Sequence, residues 1–160
     1  MRGRAIGLAL MTTVAFNPVP SMGQTTSLGS PRALLDAWVE HWGSFDLDVV
    51  EDLFVRDQRV TYFSSETEGL IQGFEAIIEH HRGFGFEAGG AERDQRIWVE
   101  DAEVFDFGST ALIGAIWFFG DPQSPDDAMR GPMSLLAVRT ADGYRIGHMH
   151  FATYDAGSDP

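Results

Sequence analysis

Histidine titrates nearest neutral pH and is the side chain best suited to moving protons in solution. Two of the five histidines, His148 and His150, are separated by a single residue in a β-rich run near the C-terminus. Arg145 of that run is expected to face solvent. Period-two alternation then turns Tyr144, Ile146, His148, His150 and Ala152 to the opposite, inward side. A bulge in the strand would move that face by one residue. A third imidazole, His81, shares the apolar side of a helix with Phe74, Ile77 and Ile78. Convergence of His81, His148 and His150 on one cavity is therefore expected, and with it general acid–base chemistry. A His-x-His pair and a third histidine also make a workable zinc set. No aspartate or glutamate in the same strand is placed to orient the rings, so no metal is expected.

Composition removes other chemistries. The chain has no cysteine, which excludes thiol nucleophiles, disulfides, Cys-ligated zinc and iron–sulfur clusters. It has no lysine either, and so no Schiff base with a carbonyl substrate or pyridoxal phosphate and no phosphate-loop lysine. A formal net charge of -13 and a sequence pI of about 4.5 work against nucleic acid, whose affinity for proteins comes largely from Lys and Arg. No cofactor is expected.

The positioning elements follow from spacing. In 160 residues with 44% hydrophobic content there is room for one domain and its core. Arg2, Arg4 and the apolar run Ala5 to Phe16 read as an export signal over residues 1–23. That run is shorter than the roughly 20 residues a membrane span needs, which favours cleavage and a periplasmic or secreted product with no membrane partner. A leader over 24–29, a domain over 30–154 and a flexible tail over 155–160 complete the chain. Ser30-Pro31 starts a first helix, in which Leu34, Leu35, Trp38, His41, Trp42 and Phe45 recur at helical spacing. A short helix follows Asp46, a strand covers Val60 to Ser64, and a third helix starts after Gly73. Four β-rich runs follow: Arg96 to Phe105, Thr110 to Phe119, Met133 to Thr140 and Tyr144 to Tyr154. Sequence neighbours should pair as antiparallel hairpins. The connector Gly120 to Gly131 is expected to be an exposed loop able to act as a lid, and Glu66 and Glu68 a solvated acidic surface.

This order of elements resembles the SnoaL-like, or nuclear-transport-factor-2-like, cone fold between about Leu34 and Tyr154. The resemblance rests on the Trp38 helix, Asp46-Leu47-Asp48, Leu53-Phe54 with Asp57, Gly73-Phe74-Glu75-Ala76-Ile77, and Gly143-Tyr144-Arg145-Ile146 leading to His150. It implies an α+β domain: three helices from the N-terminal half packed on a strongly curved antiparallel sheet, enclosing a pocket, often in a homodimer formed through the back of the sheet. The superfamily includes ketosteroid isomerases, polyketide cyclases, dehydratases, epoxide hydrolases, iota carbonic anhydrases, lyases of lignin-derived aromatics and members without chemistry. Fold alone does not choose among them.

By the same resemblance Tyr62 stands where the isomerases carry their general-base aspartate, and Trp38 where they carry a pocket tyrosine. A phenol is a weak base at neutral pH but an effective donor to an oxyanion. The iota carbonic anhydrases end in His-His-Ser-Ser, from which His148-Met149-His150-Phe151-Ala152 departs. Trp42, Phe84, Phe86, and Trp117 or Phe118 are candidates to line the cavity with Trp38, and Ser64 and Ser134 to supply hydroxyls. The resulting expectation is a cofactor-independent lyase, isomerase or dehydratase acting on an apolar, in particular aromatic, small molecule. Tyr62 is its donor, His81 or His150 its base, and His148 a partner behind them. The alternatives are an exported binding protein without chemistry, and a zinc-dependent or iota-type hydratase.

Overall fold

A computed structural model of the chain describes residues 28–154. The export signal, most of the leader and the tail lie outside the described residues. Ser30 opens the first helix, α1 (Pro31–Ser44): its Oγ accepts the Ala33 N–H at 3.1 Å, and Pro31 fills the first turn. The helix buries Leu34, Leu35, Trp38, His41 and Trp42 along one side and stops at Phe45, whose φ of 51° is left-handed. Asp46 caps α2 (Leu47–Leu53) by accepting the Asp48 N–H at 3.0 Å. The same oxygen accepts the Gly89 N–H at 3.1 Å, which ties the glycine-rich segment Phe84 to Gly90 to the start of α2. After β1 (Thr61–Phe63) and a short β2 (Ile71–Gln72), α3 (Phe74–Gly83) begins at Gly73. Gly73 has a φ of 93°, a left-handed conformation that favours glycine. Phe74, Ile77, Ile78 and His81 are the buried side of α3.

The remaining strands are β3 (Arg96–Asp106), β4 (Thr110–Gly120), β5 (Met129–Thr140) and β6 (Gly143–Phe151). One bent, open sheet results, in the order β2-β1-β6-β5-β4-β3. The fold is thus α+β, with the helices on the inner face. Sequence neighbours pair as antiparallel hairpins, as alternation implied, but β1 lies parallel to β6 and β2 had no sequence signal. The connector expected over Gly120 to Gly131 is shorter. Its two ends continue β4 and β5, leaving residues 121–128 with a single 3-10 turn at Pro125–Asp127. Among the described residues no helix is long and apolar enough to cross a membrane.

One irregularity in β6 decides what the sheet presents. Ile146 pairs with Ala137 and His148 with Leu136, so Gly147 is an extra residue with no partner of its own. A Cβ on Gly147 would come within 2.7 Å of Val138 Cγ2. Tyr144 and Ile146 point inward before this bulge, and Met149 and Phe151 point inward after it. His148 and His150 therefore lie on the outer face, opposite to the expected register. Fully burying a side chain of this size stabilises by roughly 1.5–3 kcal/mol, which holds Met149 and Phe151 inside.

Candidate functional site

Between the helices and the inner face of the sheet lies a cavity of about 200 Å³. Its walls are Trp42 from α1, Phe84 just beyond α3, Ile97 from β3, Trp117 and Phe119 from β4, and Phe151 from β6, with Met129 of β5 at the rim. One edge is polar: Tyr62 on β1 and, in the turn that follows, Ser64, Ser65 and Glu66. Tyr62 alternates inward between Thr61 and Phe63, which places its ring 5.7 Å from that of Phe151. Glu66 Oε2 accepts the Ser64 hydroxyl at 3.0 Å, and Oε1 accepts the Ser65 hydroxyl at 2.7 Å. These two bonds hold the carboxylate at the edge of an otherwise apolar chamber. Trp117 is fixed by its indole N–H, which donates to the Ala152 carbonyl at 2.9 Å.

Burial raises the Tyr62 pKa, and the negative charge of Glu66 raises it further. The phenol therefore stays protonated, with a proton available to donate. His80 lies beside it, with ring centroids 5.2 Å apart; burial lowers its pKa while Glu66 pulls the other way. Its Nε2 is buried and has no partner among the described residues. His81 Nδ1 sits 2.8 Å from the Ile77 carbonyl. A carbonyl only accepts, so the proton is on Nδ1, and Nε2 is left as an unpartnered acceptor. Burial lowers the His81 pKa to about 4, against a smaller opposing effect of the Ile77 carbonyl. His41 falls to about 3 through burial and then the neighbouring His81.

Five of the expected site residues line the cavity together: Tyr62, Trp42, Ser64, Phe84 and Trp117. The others do not. His81 is behind the wall, its ring 5.8 Å from Tyr62 and 6.1 Å from Trp42. Trp38 stacks on Phe151 at 5.3 Å, and Phe86 packs between His41 and Trp42. Phe118 stacks on Trp98 at 5.2 Å on the outer face, where Ser134 pairs with His150. His148 Nδ1 is 2.8 Å from Thr61 Oγ1 on that same face. The three histidines do not converge, because the Gly147 bulge separates two of them from His81, so the zinc set they suggested is not assembled. Among the described residues no three His, Cys, Asp or Glu side chains gather to hold a metal ion.

No protein-family model matches the chain, and no curated protein matches it. Solved structures do. A proposed ketosteroid isomerase from Parabacteroides distasonis superposes with a TM-score of 0.62 at 16% identity, over 83% of this chain and 94% of that one. An NTF2-like protein of unknown function from Pseudomonas putida gives 0.65 at 15% identity, over 79% and 86%. A proposed dehydratase of the NTF2-like family from Streptomyces avermitilis gives 0.61 at 15%, over 77% and 93%. The chain has the nuclear-transport-factor-2-like fold. At these identities the likeness is one of fold, and the side chains of the pocket are this chain's own.

Within this NTF2-like frame the sequence reading missed Glu66, Ser65, His80, Ile97, Phe119, Met129 and Phe151. Phe119 was within reach, since it shares a strand face with Trp117. Phe151 and Met129 depended on the bulge and on the length of β5. Glu66 lies in a turn, where no periodicity exists to point it anywhere.

Proposed function

We propose that the protein is a cofactor-independent enzyme that moves protons on a small, largely apolar molecule, as a lyase, isomerase or dehydratase. One observation carries this reading: a buried phenol, Tyr62, shares one edge of an apolar cavity with the Glu66 carboxylate. A base and a donor placed at one apolar site are the minimum for moving a proton on a substrate that bears an oxygen. Glu66 takes a proton from carbon next to a carbonyl, and the electron pair moves onto the oxygen, which accepts a hydrogen bond from Tyr62. Return of that proton to another carbon gives an isomer. Its delivery to a departing hydroxyl gives an alkene and water. The base role expected of His81 or His150 passes to Glu66, because His81 lies behind the wall and His150 on the outer face.

Size narrows the substrate. The cavity is below the roughly 300 Å³ at which pockets for drug-sized ligands begin and near the ~150 Å³ that admits benzene. A single ring with a substituent fits better than a steroid. The proposed isomerase and dehydratase among the structural neighbours are in keeping with this chemistry. Ring-sized carbonyl and hydroxy compounds, screened by mass or absorbance change, provide the test. Tyr62→Phe should lower turnover by about 10²–10³-fold, the usual loss for one stabilising donor, and Glu66→Gln by about 10²–10⁴-fold, the usual contribution of a positioned base, with circular dichroism and melting temperature retained. Turnover that survives both changes would remove these residues from the reaction.

The aromatic walls also support a second reading, a binding protein without chemistry. Native mass spectrometry separates the two, since such a protein returns its ligand unchanged. Export rests on the N-terminal sequence, and a homodimer through the outer face rests on the apolar residues exposed there, among them Phe63, Phe105 and Leu112; both are part of the proposal.

A further inference from the structure

Six aromatic side chains wall the cavity: Trp42, Tyr62, Phe84, Trp117, Phe119 and Phe151. Neighbouring walls stand at steep angles. Trp42 meets Phe84 at 65° and 5.6 Å, and Phe119 at 74° and 5.9 Å, while Trp117 meets Phe151 at 84° and 5.7 Å. This is the corner geometry of an aromatic box. The one carboxylate on the lining is Glu66, and no arginine lies among the described lining residues. The chain's own cations engage other rings: Arg56 lies over Phe74, Arg93 over Phe45, Arg130 over Tyr154 and Arg139 over Tyr144.

We propose that the ligand of this cavity is a small organic cation, a substituted ammonium whose charge sits among the aromatic rings and faces Glu66. Aromatic faces carry partial negative charge and attract a cation most strongly where water is excluded. A carboxylate ligand would meet Glu66 with no countercharge on the lining, an arrangement that costs more than it returns. A neutral apolar ligand would use the rings and leave the Glu66 charge without a partner of opposite sign. Volume agrees, since about 200 Å³ accommodates a trimethylammonium head and a short chain. The net charge of -13 also raises the concentration of cations around the whole protein. The inference rests on the reading of this cavity as the ligand site, and on no chemistry performed there.

Choline and its uncharged isostere 3,3-dimethylbutan-1-ol have the same shape and differ in the charge at one atom. In calorimetric titrations of the full chain, choline should bind at least about tenfold more tightly than the alcohol. Glu66→Gln, a change at an exposed position, should remove about fivefold of that preference and leave the alcohol's affinity alone. Added salt should weaken choline only. Equal or tighter binding of the alcohol, or no binding of choline at millimolar concentration, would overturn the proposal. Choline bound and recovered unchanged from a protein that turns over no screened compound would sink the enzymatic reading and keep the cation. Turnover of a neutral compound, lost in Tyr62→Phe while choline is ignored, would do the reverse.

Discussion

On its inner face the sheet turns Tyr62, Trp117 and Phe151 toward the helices, while its outer face carries Phe63, Leu112, His148 and His150 with no described helix above them. The histidines show what separates the two sides. His41 and His81 are 1% and 0% exposed, hold their protons weakly and leave ring nitrogens without partners. His148 and His150 sit beside Phe63, and His148 has a hydroxyl partner in Thr61. Residue type is the same on both sides. Face alone makes one pair part of the core and the other part of a surface, and in β6 the face is set by Gly147.

Inserting one alanine between His148 and Met149 would break this contrast most completely. With the Gly147 bulge kept, the added residue shifts the phase of the strand, so that Met149 and Phe151 turn out to water and His150 into the apolar interior. Loss of cooperative unfolding is the expected result, and a melt that stays sharp would show that the phase of β6 does not set the face. Next in size is Phe151→Ala, which removes a ring packed on Trp38, Tyr62 and Trp117 and should cost about 3–5 kcal/mol in denaturant unfolding. Leu112→Ala on the outer face should stay within about 0.5 kcal/mol for the monomer.

Acid provides a third measurement. The folded pKa values of His41 and His81, about 3 and 4, lie below the ordinary 6.5, so the unfolded chain binds more protons as pH falls. Stability should therefore hold above pH 6.5 and decline below it until the folded values are reached. By pH 5 each histidine should cost about 2 kcal/mol relative to neutral pH. His41→Leu, which replaces two unpartnered buried nitrogens with an apolar side chain, should flatten that slope. An unchanged slope would place the acid sensitivity elsewhere. His148→Ala, with the loss of one hydrogen bond to Thr61, should cost about 1 kcal/mol.

Much of this was legible in the chain because it is local. The Ser30-Pro31 cap, the Asp46 cap and the Gly73 start gave the helices, and alternation gave the long strands and three of their hairpins. Tyr62 was singled out through the family resemblance and lines the cavity. Alternation failed in β6 after Ile146, since a period of two carries a phase and one unpaired residue resets it.

By itself the sequence determined the helices, the long strands, their order and the limits on chemistry: no lysine or cysteine to form covalent intermediates, and a strongly acidic balance. Tertiary structure alone decided which groups meet. Glu66 reaches the cavity edge because the turn after β1 folds over it, and a turn has no periodicity to announce a direction. His148 and His150 leave the cavity because β5 pairs with β6 on both sides of Gly147 and skips it, and that register is set by strands packing together rather than by any one segment.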